Sequence, residues 1–260
     1  MALEEISYRV RGAKLLHEMT FEEVEALLKV SDVALLSFGA IEQHGGHLPL
    51  GTDTFIAEET VRRVLSKLAG KGHSAVGAVI PVGISHKFLR FPGSITLGFE
   101  TFVQAHLDIC ESLFGQGFRK FAIVCGNGGN ATACRIATDR IAMELKTPAI
   151  FVDALPYQFA NKADVVKDPA HDKHAGEAET SKILAVHPEL VHLDRADDVL
   201  EGAEKSGYGT GFLRGGGDWR EEAERGYLGR PNLAEASTGD KLYEMNSDWI
   251  VNVVIKEFFE

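Results

Sequence analysis

Cysteine is scarce in this sequence. Cys110, Cys125 and Cys134 are the three in 260 residues, an odd number with no C-x-x-C pair. A disulfide framework is not expected, and the thiols are read as reduced. Cys110 falls in a helical pattern and reads as core. Cys125 ends an apolar run beside a glycine-rich turn, where a packing role outweighs a catalytic one because free cysteine is commonly a small buried hydrophobe. Positive charge is also short: 27 Lys and Arg against 38 Asp and Glu leave a net charge of −11, and no basic cluster interrupts it. A phosphate-backbone partner, and with it nucleic acid, is excluded on that ground. No stretch approaches the roughly 20 apolar residues that span a bilayer. The opening Met1-Ala-Leu-Glu4-Glu5 has acids where a secretory signal carries basic residues, so the cytoplasm is expected. Ser181 has no G-x-S-x-G elbow around it, which argues against a serine hydrolase.

What is present is an ordinary globular composition, 45% hydrophobic and 25% charged, sufficient for a substantial core. Short runs rich in Val, Ile and Phe read as buried strands over residues 33–38, 78–82, 120–125 and 149–152. Helical spacing follows Ala57, Val61, Val64, Leu65 and Leu68, then Phe99 to Phe114, Asn130 to Leu145, Glu177 to Val186 and Thr238 to Glu260. Alternating strands and helices predict a single α/β domain over residues 1–260, a three-layer α/β/α arrangement with a mainly parallel sheet. Residues 205–232, glycine-rich and poor in apolar periodicity, read as a long loop or lid. In such sheets functional sites form beyond the carboxyl ends of the strands.

The densest chemistry lies at one of those ends. Gly39-Ala-Ile-Glu42-Gln43-His44-Gly45-Gly46-His47-Leu-Pro-Leu-Gly51-Thr52-Asp53 follows the first strand directly. Glu42 and His44, two apart, project to one side of an extended backbone. Asp53 opens the next helix and can fold back across the intervening Gly and Pro. Carboxylates with neutral imidazole form the mixed donor set that suits zinc, manganese or iron. His47 is expected at the surface. At another strand end, Gly126-Asn127-Gly128-Gly129-Asn130 exposes backbone N–H groups, but it lacks the Lys-Ser/Thr of a P-loop and the spacing of a dinucleotide fingerprint. His174 and Glu177 are three apart. A helix beginning near Lys173 would bring both to one face, leaving Glu179 pointing elsewhere.

These motifs together resemble the creatininase family of metal-dependent amidohydrolases. The likeness rests on Glu42-Gln43-His44-Gly-x-His47-Leu-Pro-Leu-x-Thr52-Asp53-Thr54, on Phe91-Pro92-Gly93-Ser94-Ile95-Thr96-Leu97, on the Gly126–Asn130 loop, and on His174-Ala-Gly-Glu177-Ala-Glu179-Thr180-Ser181. Their order and spacing hold over roughly residues 30 to 195. The resemblance implies a creatininase-like fold, a homo-oligomer, and up to two divalent metal ions per subunit: zinc, manganese or iron. It implies Asp53 as the bridging ligand, with Glu42 and His44 on opposite metals, Glu177 on the second metal, and Glu179 orienting a ligand from behind. It makes His174 the catalytic histidine, passing a proton to the leaving nitrogen. Ser85, His86 and Asn130 become candidates for substrate binding.

The sequence departs from the family pattern at two places. The family loop reads Asn-Gly-His-Gly-Gly-Asn, and its histidine is a ligand, whereas this chain has Asn127 there. An amide oxygen is the weaker and harder donor, so the first site could prefer manganese or iron over zinc, be half occupied or be empty. The tryptophans that hold creatinine in creatininase have no counterpart, since Trp219 and Trp249 come much later. The expected activity is hydrolysis of a cyclic amide, linear amide or formamide in a small polar molecule, by metal-activated water. The alternatives are a metal-dependent C–C hydrolase of an oxidised, β-diketone-type cyclic sugar, and a non-catalytic ligand-binding homologue.

Overall fold

A computed structural model describes residues 10–200 and 218–260. After α1 (Phe21–Leu28) come β1 (Val33–Phe38), α2 (Thr52–Gly70), β2 (Val76–Ile80), α3 (Phe99–Gln116), β3 (Lys120–Cys125), α4 (Ala131–Leu145) and β4 (Ala149–Asp153). Four further helices complete the order: α5 (Ala154–Asn161), α6 (Glu177–Val186), α7 (Trp219–Glu222) and α8 (Ala236–Phe258). The strands form one parallel sheet in the order β2-β1-β3-β4. The chain therefore moves one way from β1 to β2 and then crosses back over β1 to β3. Between β1 and β3 lies the reversal point at which open α/β sheets carry their sites.

Every residue of β1 is buried, as a central strand covered on both faces requires. Ala34, Leu36 and Phe38 face a core shared with Phe102, Leu107, Cys110, Ala137 and Ile141 of α3 and α4. Val33 and Leu35 face the opposite core, made with Val64 and Leu68 of α2 and Ile250, Val251 and Val254 of α8. The expected three-layer α/β arrangement is the one observed. β2 lies two residues earlier than its apolar pattern suggested, because Pro81 has no N–H to extend the ladder and the strand ends at Ile80.

At the end of β1 the N-terminus of α2 presses against the chain. A Cβ on Gly39 would lie 2.6 Å from the Thr54 Cα, so only glycine admits this approach. The same contact brings Asp53, the second residue of α2, to the mouth of the sheet. There the helix dipole favours its negative charge.

The expected lid over 205–232 divides in two. Residues 205–217 lie outside the described residues. The remainder is not loose: Trp219, Tyr227 and Leu228 are almost fully buried. Leu228 forms an antiparallel bridge with His174, and Gly229 forms one with Val199.

Candidate metal centre

The loop after β1 converges with α2 and with the turn before α6. Glu42, His44 and His174 place one potential ligand atom each within 4.8 Å of one another, and so do His44, Asp53 and Glu179. Ser85 donates its hydroxyl hydrogen to Glu42 Oε2 at 2.6 Å. Asn127 donates its amide hydrogen to Asp53 Oδ2 at 2.9 Å. The His44 and His174 rings lie 4.5 Å apart, centroid to centroid.

His44 is 0% exposed. Its Nδ1 is 3.1 Å from the Glu42 backbone oxygen. A carbonyl only accepts, so Nδ1 carries the hydrogen, and in the neutral ring Nε2 presents a lone pair. That nitrogen has no hydrogen-bond partner. It lies 3.6 Å from Asp53 Oδ1 and 3.8 Å from Glu179 Oε2. A bare lone pair facing two carboxylates is repulsive, so this nitrogen calls for a positive charge among them, a proton or a metal cation. The ionisation pattern has the same cause. Burial opposes the His44 imidazolium, but Asp53, Glu179 and Glu42 outweigh it and raise the pKa to about 10. Burial, then Asp53, push the Glu42 carboxyl up to about 8. Burial, then the charge on His44, pull His174 down to about 3. The donor set fits a divalent cation, with an orphaned imidazole nitrogen at its centre.

Glu42, His44, Asp53 and His174 are thus brought together as the sequence predicted. Glu177 is not. Its carboxylate accepts from the backbone N–H of Lys167 at 2.9 Å and of Asp168 at 3.1 Å, and among the described residues it falls in neither group of candidate ligands. Glu179 occupies the centre in its place, with 26% of its side chain exposed. The physical reason is local: α6 starts only at Glu177, and Ala175 adopts a left-handed φ of 49°. His174 therefore stands outside the helix, and its spacing to Glu177 is not a helical one. Ala175 is held in this uncommon conformation from both sides. Its N–H donates to Glu179 Oε2 at 2.6 Å, and its carbonyl lies 3.0 Å from His47 Nε2. His47 is accordingly buried, not a surface imidazole, and burial first pulls its pKa down to about 4.

The Gly126–Asn130 loop also differs from expectation. The Asn127 amide oxygen accepts from the Gly129 N–H at 2.5 Å, so the amide turns its donor end to Asp53. Asn130 Oδ1 accepts from the Ile84 N–H at 2.8 Å, and its Nδ2 donates to the Phe38 and Gly39 carbonyls at 2.9 and 3.1 Å. These bonds make the fully buried Asn130 a bolt between strand ends. Ser85 reaches the centre through Glu42. His86 is exposed and meets Thr96 instead. The three cysteines are buried and free.

Sequence reasoning missed three neighbours. Gln43 places its backbone oxygen and its Nε2 each 3.1 Å from His174 Nε2. Phe88 lies nearly parallel to the His174 ring at 4.9 Å, and Trp219 meets that ring edgewise at 5.3 Å. Gln43 could have been marked by its place between Glu42 and His44. Nothing local marks Trp219, which is 45 positions from His174.

Fold and donors define an α/β protein with a buried carboxylate–imidazole centre at the reversal point of a parallel sheet. The sequence model of the creatininase family, described as creatinine amidohydrolase, matches residues 17–254, and the chain belongs to that family of hydrolases. A 3-dehydro-scyllo-inosose hydrolase of Thermotoga maritima is 28% identical over 70% of the chain, a match that spans 58% of that relative's length. A creatinine amidohydrolase of Pseudomonas putida is 29% identical, with 70% of this chain and 75% of the relative covered. A mycofactocin precursor peptide peptidase of Mycobacterium ulcerans is 30% identical over 84% of this chain and 83% of its own. Among solved structures, one described as creatininase Mn shares the fold with a TM-score of 0.79 at 23% identity, covering 94% of this chain and 98% of that one.

Proposed function

We propose that the chain is a metal-dependent hydrolase that cleaves a C–N bond, in a cyclic amide, linear amide or formamide, of a small polar molecule. The observation that carries this reading is His44 Nε2, buried without a hydrogen-bond partner between Asp53 and Glu179. His44, Asp53, Glu179 and Glu42 would hold up to two divalent ions, zinc, manganese or iron. When bound, such ions polarise a carbonyl and bring the pKa of water down to roughly 7. The remaining work falls to the chain. Asn127 orients Asp53 and Ser85 orients Glu42, through the bonds given above. His174, neutral and fixed at Nε2 by Gln43, moves the proton that the leaving nitrogen needs. The names of the relatives support hydrolysis and span several substrates.

A second reading is favoured by the Thermotoga relative, whose name gives an oxidised cyclitol as its substrate: hydrolysis of a C–C bond beside a carbonyl at the same centre. The product separates the two. Purified chain would be loaded with manganese or zinc and offered creatinine, N-formyl compounds, short peptides and a diketo cyclitol. Release of an amine supports the first reading, and a carboxylic acid formed without amine supports the second. Metal uptake with no turnover of either class would overturn both and leave a ligand-binding homologue.

We also take the chain to act as one domain, in the cytoplasm and as a homo-oligomer. Three free thiols support the compartment. Half-exposed Phe99 and Ile136 line one groove between α3 and α4 and support self-association. Among the described residues no helix is long and apolar enough to cross a membrane. A sedimentation measurement giving a monomer would remove the oligomer.

A further inference from the structure

The histidine that moves the proton is gripped by two segments far from it in sequence. Phe88 comes from the short turn after Ser85, and Trp219 from α7. A hydrogen bond at Nε2 fixes one atom of an imidazole but leaves its plane free to swing about the bond to Cβ. Phe88 lies against one face of the ring at an interplanar angle of 16°, and Trp219 stands against it at 78°. Together they remove that freedom. The two aromatics also touch each other, with centroids 5.6 Å apart, and they share a buried cluster with Ala223, Leu228 and Phe91.

Trp219 is itself held in place. Its indole N–H donates to the Gly226 carbonyl at 3.0 Å, and Gln43 Nε2 donates to the same oxygen at 2.5 Å. One carbonyl therefore ties the indole to the side chain that meets His174 Nε2. Gly226 has φ of 84°, and a Cβ there would fall 1.9 Å from Gln43 Oε1, so the node tolerates only glycine. On the outside, Asp218 pairs with Arg90. Arg220 donates to the Arg90 carbonyl at 3.1 Å. These contacts bind α7 to the turn that carries Phe88.

We propose that Trp219, acting with Phe88, is a positioning residue that sets the ring plane of His174 against the Glu42–His44 side of the centre. The proposal takes from the preceding reading only that His174 moves the proton. Trp219 acts through His174, Phe88 and the Gly226 carbonyl, so metal binding at Asp53 and Glu179 should not depend on it. A misplacement of a reacting group by about 1 Å can cost on the order of 10²-fold in rate, which gives such a clamp a function.

The test uses the full chain without metal. Histidines are labelled at Cε1, and the His174 resonance is assigned by its absence in His174→Gln. The wild type should give one sharp resonance. Trp219→Phe, which keeps an aromatic ring, should retain it, whereas Trp219→Leu should broaden or split it. His106, stacked on Phe38 at 3.7 Å in the core under α3, should not move in either variant. Cobalt alone, titrated by its visible spectrum, should bind all three proteins with the same affinity. An unchanged His174 resonance in Trp219→Leu would overturn the proposal. So would joint loss of the His174 and His106 signals and of cobalt binding in both variants, which would mean that Trp219 only packs the fold. Failure of the wild type to hydrolyse any amide would remove the hydrolase reading without deciding these spectra.

Discussion

The loops that leave β1 and β3 emerge side by side from the same end of the sheet, and they treat their polar atoms in opposite ways. After β3, Asn127 and Asn130 spend both oxygen and nitrogen on specific partners, mostly backbone. After β1, His44 is buried with a nitrogen that has no hydrogen-bond partner, facing carboxylates that strongly perturb its ionisation. A buried polar group without a partner costs roughly 1–3 kcal/mol, so a fold that keeps one has a use for it. Glycine, asparagine and burial are common to both loops. What separates them is satisfaction: the β3 loop is built as scaffold, and in the proposed function the β1 loop is the reactive part. The Asn127–Asp53 bond joins the two.

The comparison is broken most severely at Asp53. Asp53→Ala removes a carboxylate that faces His44 and accepts from Asn127, and the purified variant should carry no zinc or manganese by elemental analysis. Wild-type metal content would mean that the β1 loop is scaffold too. Next in size is Asn130→Ala, which strands a buried N–H and two carbonyls. It should cost about 3 kcal/mol in urea unfolding while the folded variant still takes up metal. Loss of metal with unchanged stability would move Asn130 into the reactive part.

A sharper comparison sets two acids on one helix turn against each other. Glu179→Gln should weaken zinc binding on the order of 10²-fold, whereas Glu177→Gln should leave it unchanged and lower the melting temperature by loosening the Lys167–Asp168 turn. The reverse pattern in a competition titration would restore Glu177 as the ligand. The smallest effect concerns Lys182, buried on α6 behind the centre and bonded to Gln158. Burial pulls its pKa from 10.5 down to about 8. Between those values the unfolded chain binds more protons than the folded one, so this group makes stability rise with pH across that window. The contribution is present above the unfolded pKa and is lost as pH falls through about 8. The slope should be up to about 1.4 kcal/mol per pH unit, and Lys182→Met should remove it from the unfolding curves. An unchanged slope would show that Lys182 stays charged.

Much of the centre was legible in the chain because its parts are local. Glu42, His44 and Asp53 lie within twelve positions, between an apolar run that must be a strand and a helix that must start. Chain geometry alone brings them near each other. That Glu179 rather than Glu177 lies beside His44 was not legible, because one backbone torsion, at Ala175, moves His174 out of the helical register, and no residue type announces it. The orientation of Asn127 was hidden for a related reason: an amide offers oxygen or nitrogen, and only its surroundings decide which end faces Asp53.

By itself the sequence determined the class of the fold, the strand that carries the centre, and the chemistry of the donors. Those depend on apolar periodicity and on residues close together in the chain. Only the tertiary structure decided which of two glutamates reaches His44, that His47 is buried, and that Phe88 and Trp219 enclose His174. These depend on contacts between segments more than a hundred residues apart: His44 with Glu179, His47 with Ala175, and Phe88 with Trp219. Such contacts arise from packing and register, and nothing in the local pattern of either segment encodes its partner.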